Sequence, residues 1–286
     1  MSGAVQLFGS ALLVVSLMFA AGLQLRVADL LALRERPRVL GLAVLINIVA
    51  VPGITYALLA ALALPAEVVL GLLLCIAAPG GPAAVLYVNT ARADLPMTVG
   101  LTIVLPILGV FTTPLTLSLV PGLPDDLAMP VVPVLLSLIG FQLVPLALGM
   151  LLRARRPALA ERLTPYAKTT ANLTLAALVV VMTALEGQLI LETPARVWLA
   201  MIGSGGAAIG LGYLAALPGR GSARAGAIVA ISRNISVSLM LASTFFVDPR
   251  VNATVLIFGL IAFVGPLGLA LAWRSGSGGG GAGARA

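Results

Sequence analysis

Two long apolar runs of this chain are broken near their middles, and these breaks constrain the fold more than any other feature. One run carries Ala78-Pro79-Gly80-Gly81-Pro82-Ala83-Ala84, and the other carries Ile231-Ser232-Arg233-Asn234-Ile235-Ser236. Each break lies roughly 10 residues from either end of its run. At ~1.5 Å rise per helical residue that is about 15 Å deep, near the midplane of a ~30 Å hydrocarbon layer. Backbone released from helical pairing cannot face lipid; it is tolerated only where it lines a protein-bounded cavity. Paired interruptions of this kind point to a binding site near the membrane midplane.

Composition agrees with a membrane protein. The chain is 60% apolar and 9% charged, with a mean hydropathy of +1.12, where a soluble domain carries about 25% charged residues. Most of the 286 residues are therefore assigned to membrane spans. There is no histidine, which excludes imidazole ligands and histidine acid–base chemistry. The single cysteine, Cys75, excludes an intrachain disulfide and a cysteine metal cluster. No metal and no cofactor are expected. The net charge of +7 is spread over short loops, so it reads as a membrane-orientation signal and not as a nucleic-acid surface.

The predicted fold class is an all-α polytopic membrane protein of nine transmembrane helices, at about 5–24, 38–62, 67–91, 95–120, 130–152, 167–186, 196–217, 223–246 and 251–273. The first is kept as a span because no basic segment precedes it; Arg26 and Arg34 follow it. The odd loops collect Arg36, Arg38, Arg92, Arg153, Arg155, Arg156, Arg162, Lys168, Arg220 and Arg224, whereas the even side has Arg196 and Arg250 beside Glu67, Asp125, Asp126, Glu192 and Asp248. This asymmetry puts the N-terminus outside and the C-terminus in the cytoplasm of a multi-pass inner (plasma) membrane protein. The broken segments are spans three and eight. Being five spans apart they run in opposite directions, the geometry of an inverted repeat. Residues 1–273 form one transmembrane domain, and 274–286 read as a flexible Gly-rich tail.

Several stretches carry a family resemblance. They are Leu17-Met18-Phe19-Ala20-Ala21-Gly22-Leu23-Gln24-Leu25, the segment from Arg38 to Pro52, and Pro79-Gly80-Gly81 followed by Tyr87, Ala91-Arg92, Asp94, Thr98, Thr102 and Pro114. With these residues the chain resembles the bile acid:sodium symporter family, from about residue 10 to residue 273. The resemblance implies a core of the spans at about 38–120 and 196–273, containing two broken, crossing helices. Beside it would lie a panel of the spans at about 5–24, 130–152 and 167–186. It also implies alternating access, with substrate bound between panel and core. Where the family coordinates sodium through a Ser-Asn pair after the Pro-Gly-Gly, this chain has Ala84 and Val85. Where the family has a glutamate and a glutamine in span eight, this chain has Val229 and Arg233, and only Asn234 is kept. A family glutamine position is Asn47. Asn47, Thr98, Thr102, Ala84, Val85 and Val229 are thus the remnant of an ion site, and transport is expected not to depend on sodium, a hard cation that needs several oxygen ligands.

Arg233 is the charge placed nearest mid-membrane. Guanidinium stays charged and must find acceptors. It either meets a substrate carboxylate, or occupies the vacated cation position, or plugs the structure by bonding carbonyls of the span-three break. Pro79, Gly80 and Gly81 expose backbone groups, and Ser232 and Asn234 can add hydrogen bonds. Thr98 and Thr102 lie one turn apart and either face the break or back-bond to their own helix. Asn47 reads equally as a site residue or as interhelical glue. Cys75 precedes the break and reads as packing; Asp125-Asp126 reads as a solvated loop. The function expected is secondary transport of a small organic anion in the lipid bilayer. The alternatives are an arsenite-efflux-like or other exporter of the same superfamily, an intramembrane enzyme, and a transporter-derived signalling protein.

Overall fold

The computed structural model describes residues 2–25, 36–120, 123–124 and 127–276. Arg26, Arg34, the Asp125-Asp126 loop and the tail beyond Gly276 lie outside the described residues. All secondary structure among the described residues is helical: α1 (Ser2–Gln24), α2 (Pro37–Ala61), α3 (Ala66–Ala77), α4 (Ala84–Thr90), α5 (Leu95–Ser118), α6 (Val131–Arg155), α7 (Pro157–Leu191), α8 (Ala195–Ala215), α9 (Arg220–Ile231), α10 (Ile235–Phe245) and α11 (Pro249–Gly276). This is what a lipid solvent demands, since a helix pairs its own backbone groups within one segment.

Eight stretches are long and apolar enough to cross a membrane: α1, α2, α5, α6, α7, α8, α9 with α10, and α11. The predicted third span is the exception. It is divided into α3, of 12 residues, and α4, of seven, and neither reaches membrane length alone. The loop expected between residues 152 and 167 is a second correction. Pro157 starts α7, which runs for 35 residues, so Arg162 and Lys168 sit on a helix and not in a loop. The helix is rich in Ala and Leu, both strong helix formers, and Pro157 fits the first turn, where no N–H is needed. The last helix also continues beyond 273, to Gly276.

Two helix pairs meet closely with glycine on both sides. A Cβ on Gly22 of α1 would lie 2.3 Å from the carbonyl oxygen of Leu146, and one on Gly149 of α6 would lie 2.6 Å from that of Phe19. Gly212 of α8 and Gly226 of α9 repeat the device, each with a Cβ position 2.3 Å from the other's carbonyl oxygen. Small residues let membrane helices gain dispersion contact that hydrophobic burial does not supply there. Around these contacts α1 packs on α6 and α7, α8 packs on α9, and α3 packs on α11. Tyr87 of α4 meets Phe263 of α11 edge-to-face, with centroids 6.0 Å apart.

The helix ends sort into two groups. Asp94 caps α5 through the Met97 N–H, accepts from Arg36 ahead of α2, and accepts from the Ser222 hydroxyl at the start of α9. The connections before α2, before α5 and before α9 therefore meet at one carboxylate. At the opposite end Arg250, starting α11, lies 3.7 Å from Glu67, starting α3.

Candidate functional site

The two breaks touch. The Gly81 N–H donates to the Ser232 carbonyl at 2.8 Å, and the Asn234 N–H donates to the Ala78 carbonyl at 2.9 Å. This reciprocal pair satisfies four backbone groups that neither helix can satisfy internally, which is the condition for irregular backbone at membrane depth. Glycine is required on both counts. Gly80 has φ of +82°, and a Cβ there would meet the Pro106 ring at 2.5 Å. A Cβ on Gly81 would lie 2.4 Å from the Arg233 carbonyl oxygen. Side chains close the remaining helix ends. Thr113 donates to the Ala77 carbonyl at 2.6 Å, and Ser238 donates to that of Leu74 at 3.0 Å.

Arg233 is 4% exposed and is the one buried charged residue among the described residues. Its Nη1 donates to the Asn47 backbone carbonyl at 3.0 Å. The availability of that carbonyl follows from the backbone of α2, which is wound as a π turn over Ile46–Ala50, with the Val51 N–H bonded to Ile46. In this register the next donor would be residue 52, which is Pro52 and has no N–H. The orphaned Asn47 oxygen therefore receives the guanidinium. Nε and Nη2 of Arg233, the Ser232 hydroxyl and the Asn47 carboxamide oxygen are buried without a partner. The Asn47 carboxamide nitrogen donates to Ala43.

Gln142 is a site residue that sequence reasoning missed. It lies in a second π turn, Ile139–Leu143 of α6, donates to the Pro106 carbonyl at 2.7 Å and accepts from the Asn234 carboxamide at 3.4 Å. The signal was available: it is the one amide in the apolar run from Val131 to Leu152. Ser236 completes the link by donating to the Asn234 carboxamide oxygen at 2.7 Å.

The structure thus brings Pro79, Gly80, Gly81, Ser232, Arg233, Asn234 and Asn47 to one place. The threonines are used otherwise. Thr98 donates to the carbonyl of Asp94, the cap of α5, and Thr102 to that of Val99 within α5. Ala84 is buried against the break, its N–H bonded to Gly81, while Val85 is half-buried. Val229 lines, with Asn47 and Met97, a cavity of about 10 Å³, which holds at most one water. Cys75 is fully buried with Sγ 4.0 Å from the Val255 carbonyl oxygen, a packed position. No group of three or more Cys, Asp or Glu side chains able to hold a metal occurs among the described residues.

Residues 11–193, well over half of the chain, match the sodium bile acid symporter family. No curated protein matches the chain. The matched stretch contains the first break, Asn47 and Gln142 and ends after α7. The resemblance read as far as residue 273 extends past it, and the second break is identified by its own sequence and by its bonds to the first. A multi-pass helical chain with this match is a transporter-type membrane protein, and it belongs to the sodium bile acid symporter family.

Proposed function

We propose that this chain is a secondary transporter of small organic anions that works by alternating access without sodium. One observation carries the reading: Arg233 is buried where the two breaks meet, with one hydrogen bond and two guanidinium nitrogens unpartnered. An arginine at mid-membrane costs about 2.5–3.5 kcal/mol even on insertion scales. Three of its nearest neighbours, Ser232, Asn234 and Asn47, are neutral. A carboxylate entering the site would satisfy the free N–H groups as a fork and neutralise the charge. The same fixed charge stands where the family resemblance puts a cation, with Ala84, Val85 and Val229 offering no side-chain oxygen.

The frame for this reading is nine spans, counting α3 with α4 as the third, with the broken helices crossing at their shared hydrogen bonds. A core of α2 to α5 and α8 to α11 would rock against a panel of α1, α6 and α7. Arg233 is only 4% exposed, so an organic anion would reach its guanidinium only after the surrounding helices part. Opening would part Gln142 of the panel from both of its core partners, the Asn234 carboxamide at 3.4 Å and the Pro106 carbonyl at 2.7 Å. Loop charges place the odd connections and the C-terminus in the cytoplasm of the inner (plasma) membrane.

Flux into proteoliposomes tests the proposal. Uptake of at least one of a panel of radiolabelled carboxylates is expected, at the same rate when sodium is replaced by choline. Uptake that falls to background in choline would mean that a sodium site persists despite Arg233. No uptake of any carboxylate, in either salt and in both protein orientations, would remove the transport reading.

A further inference from the structure

We infer that a cleft at the ends of α1, α6 and α7 binds the phosphate of an anionic phospholipid headgroup. The cleft has a volume of about 340 Å³ and is lined by Leu23, Gln24, Arg153, Thr164, Pro165 and Lys168, among others. That is the size at which ligand pockets begin. It lies apart from the helix breaks and shares no residue with the arginine site.

Charge placement fixes its depth. α1 carries no charged residue and ends at Gln24. α6 has none from Val131 to Leu152, so Arg153 is its first charge. α7 has none from Thr169 to Leu185, so Lys168 is its last charge before the apolar stretch. Three helices thus bring their apolar-to-polar boundaries to one cleft. Helix ends of this composition sit where hydrocarbon meets headgroups, and long basic side chains reach the phosphate layer from there.

The chemistry inside the cleft favours an anion. Arg153 donates to Glu161 at 3.0 Å through Nη1, which leaves its other donors free for a second acceptor. Lys168 is exposed and enters no ion pair among the described residues. The cleft therefore holds two cations against one carboxylate. An acyl chain also has a path: Leu175 lies seven residues beyond Lys168 on the same face of α7 and is 38% exposed. Basic pockets between membrane helices at this level suit lipid phosphates. A soluble phosphate would use the same two cations but not the apolar path, and this difference separates the two sources.

The full chain, purified in detergent, would be titrated with short-chain phosphatidylglycerol, phosphatidylcholine of the same chain length, and glycerol 3-phosphate. The rise in melting midpoint reads binding. Phosphatidylglycerol is expected to raise it saturably, phosphatidylcholine not at all, and glycerol 3-phosphate only at far higher concentration. Lys168→Gln should weaken phosphatidylglycerol about 5-fold, the value of one basic residue near an anionic headgroup. Arg162→Gln, an exposed neighbour outside the cleft, should leave it unchanged. Lys168 enters no ion pair among the described residues, so its replacement is expected to leave folding intact; Arg153→Gln supplies a second variant. Equal shifts with phosphatidylcholine, or equal phosphatidylglycerol affinity in the Lys168 and Arg162 variants, would overturn the inference. Glycerol 3-phosphate matching the lipid would make the cleft a soluble-anion site and reject the lipid assignment.

Discussion

The two breaks do the same structural job and are encoded differently. In the first, covalent chemistry forbids the helix: Pro79 has no N–H, and Gly80 takes a left-handed φ of +82°. In the second, Ser232-Arg233-Asn234 contains neither proline nor glycine, and each residue could continue a helix. Here the interruption is made by partners. The Asn234 N–H goes to Ala78 across the contact, and the Arg233 N–H folds back to Ile231 at 2.9 Å. The flanking pieces differ too, 12 and seven residues around the first break against 12 and 11 around the second. The first break is a property of its own sequence. The second leans on the first, and substitutions should reveal that asymmetry.

The largest effect is expected from Gly81→Ala. Its Cβ would meet the Arg233 carbonyl oxygen at 2.4 Å and that of Ser232 at 2.9 Å, both backbone atoms that no rotamer change can move. The breaks must separate, and the two hydrogen bonds between them are lost. Overpacking together with newly unsatisfied buried groups should cost about 3–5 kcal/mol. Gly206→Ala is the control, because its Cβ would meet nothing within 4 Å. A thermal melt in which the Gly81 variant matches the Gly206 variant would break the idea that the second interruption depends on the first.

Arg233→Gln asks the converse question, whether the second break can lose its charge while the first persists. If Arg233 receives the substrate, anion binding should weaken by about 1.5–3 kcal/mol, the worth of a charged hydrogen bond. Arg233→Lys should recover only part, since a point charge cannot reproduce the fork. The competing role, a structural plug on the Asn47 carbonyl, predicts a lower melt with carboxylate affinity unchanged. Melting and binding measured on the same purified variant separate the two.

How much of this was legible in the sequence follows the same asymmetry. Pro79-Gly80-Gly81 announced the first break, whereas nothing in the loop charges announced that Arg36 and Ser222 would meet at Asp94. The burial of Arg233 was readable from its place in an apolar run, but its partner was not. That partner is a backbone carbonyl, freed by a π turn whose register no side-chain pattern records, although Asn47 and Pro52 were both conspicuous. Gln142 was missed for a related reason: its importance comes from another π turn that points it at Asn234. Thr98 and Thr102 had a helical spacing that suits either a shared site or back-bonding, and only coordinates separate the two.

Asp94 should give the smallest effect, and it bears on both breaks equally. It begins α5, which follows the first break, and holds Ser222 of α9, which precedes the second. Burial opposes its charged form, but the Ser222 hydroxyl, the Met97 N–H and Arg36 outweigh that and hold its carboxyl below the usual range. A depressed carboxylate stabilises the fold above its unfolded pKa, about 3.9, and loses that contribution as pH falls through the lower folded value. Its contribution should therefore be flat from neutral pH down to about 5 and fade only in stronger acid. The Arg36 side chain is 54% exposed, so the ion pair itself is worth about 0–1 kcal/mol. The cap is worth ~1 kcal/mol, and asparagine caps as well as aspartate. Asp94→Asn should then melt close to the parent and Asp94→Ala lower, both binding a carboxylate as the parent does. If Asn costs as much as Ala, the charge and not the cap holds the two broken helices together at this end. If either variant binds the anion more weakly, the end of the core is coupled to its centre and the breaks are not governed by their own contact alone.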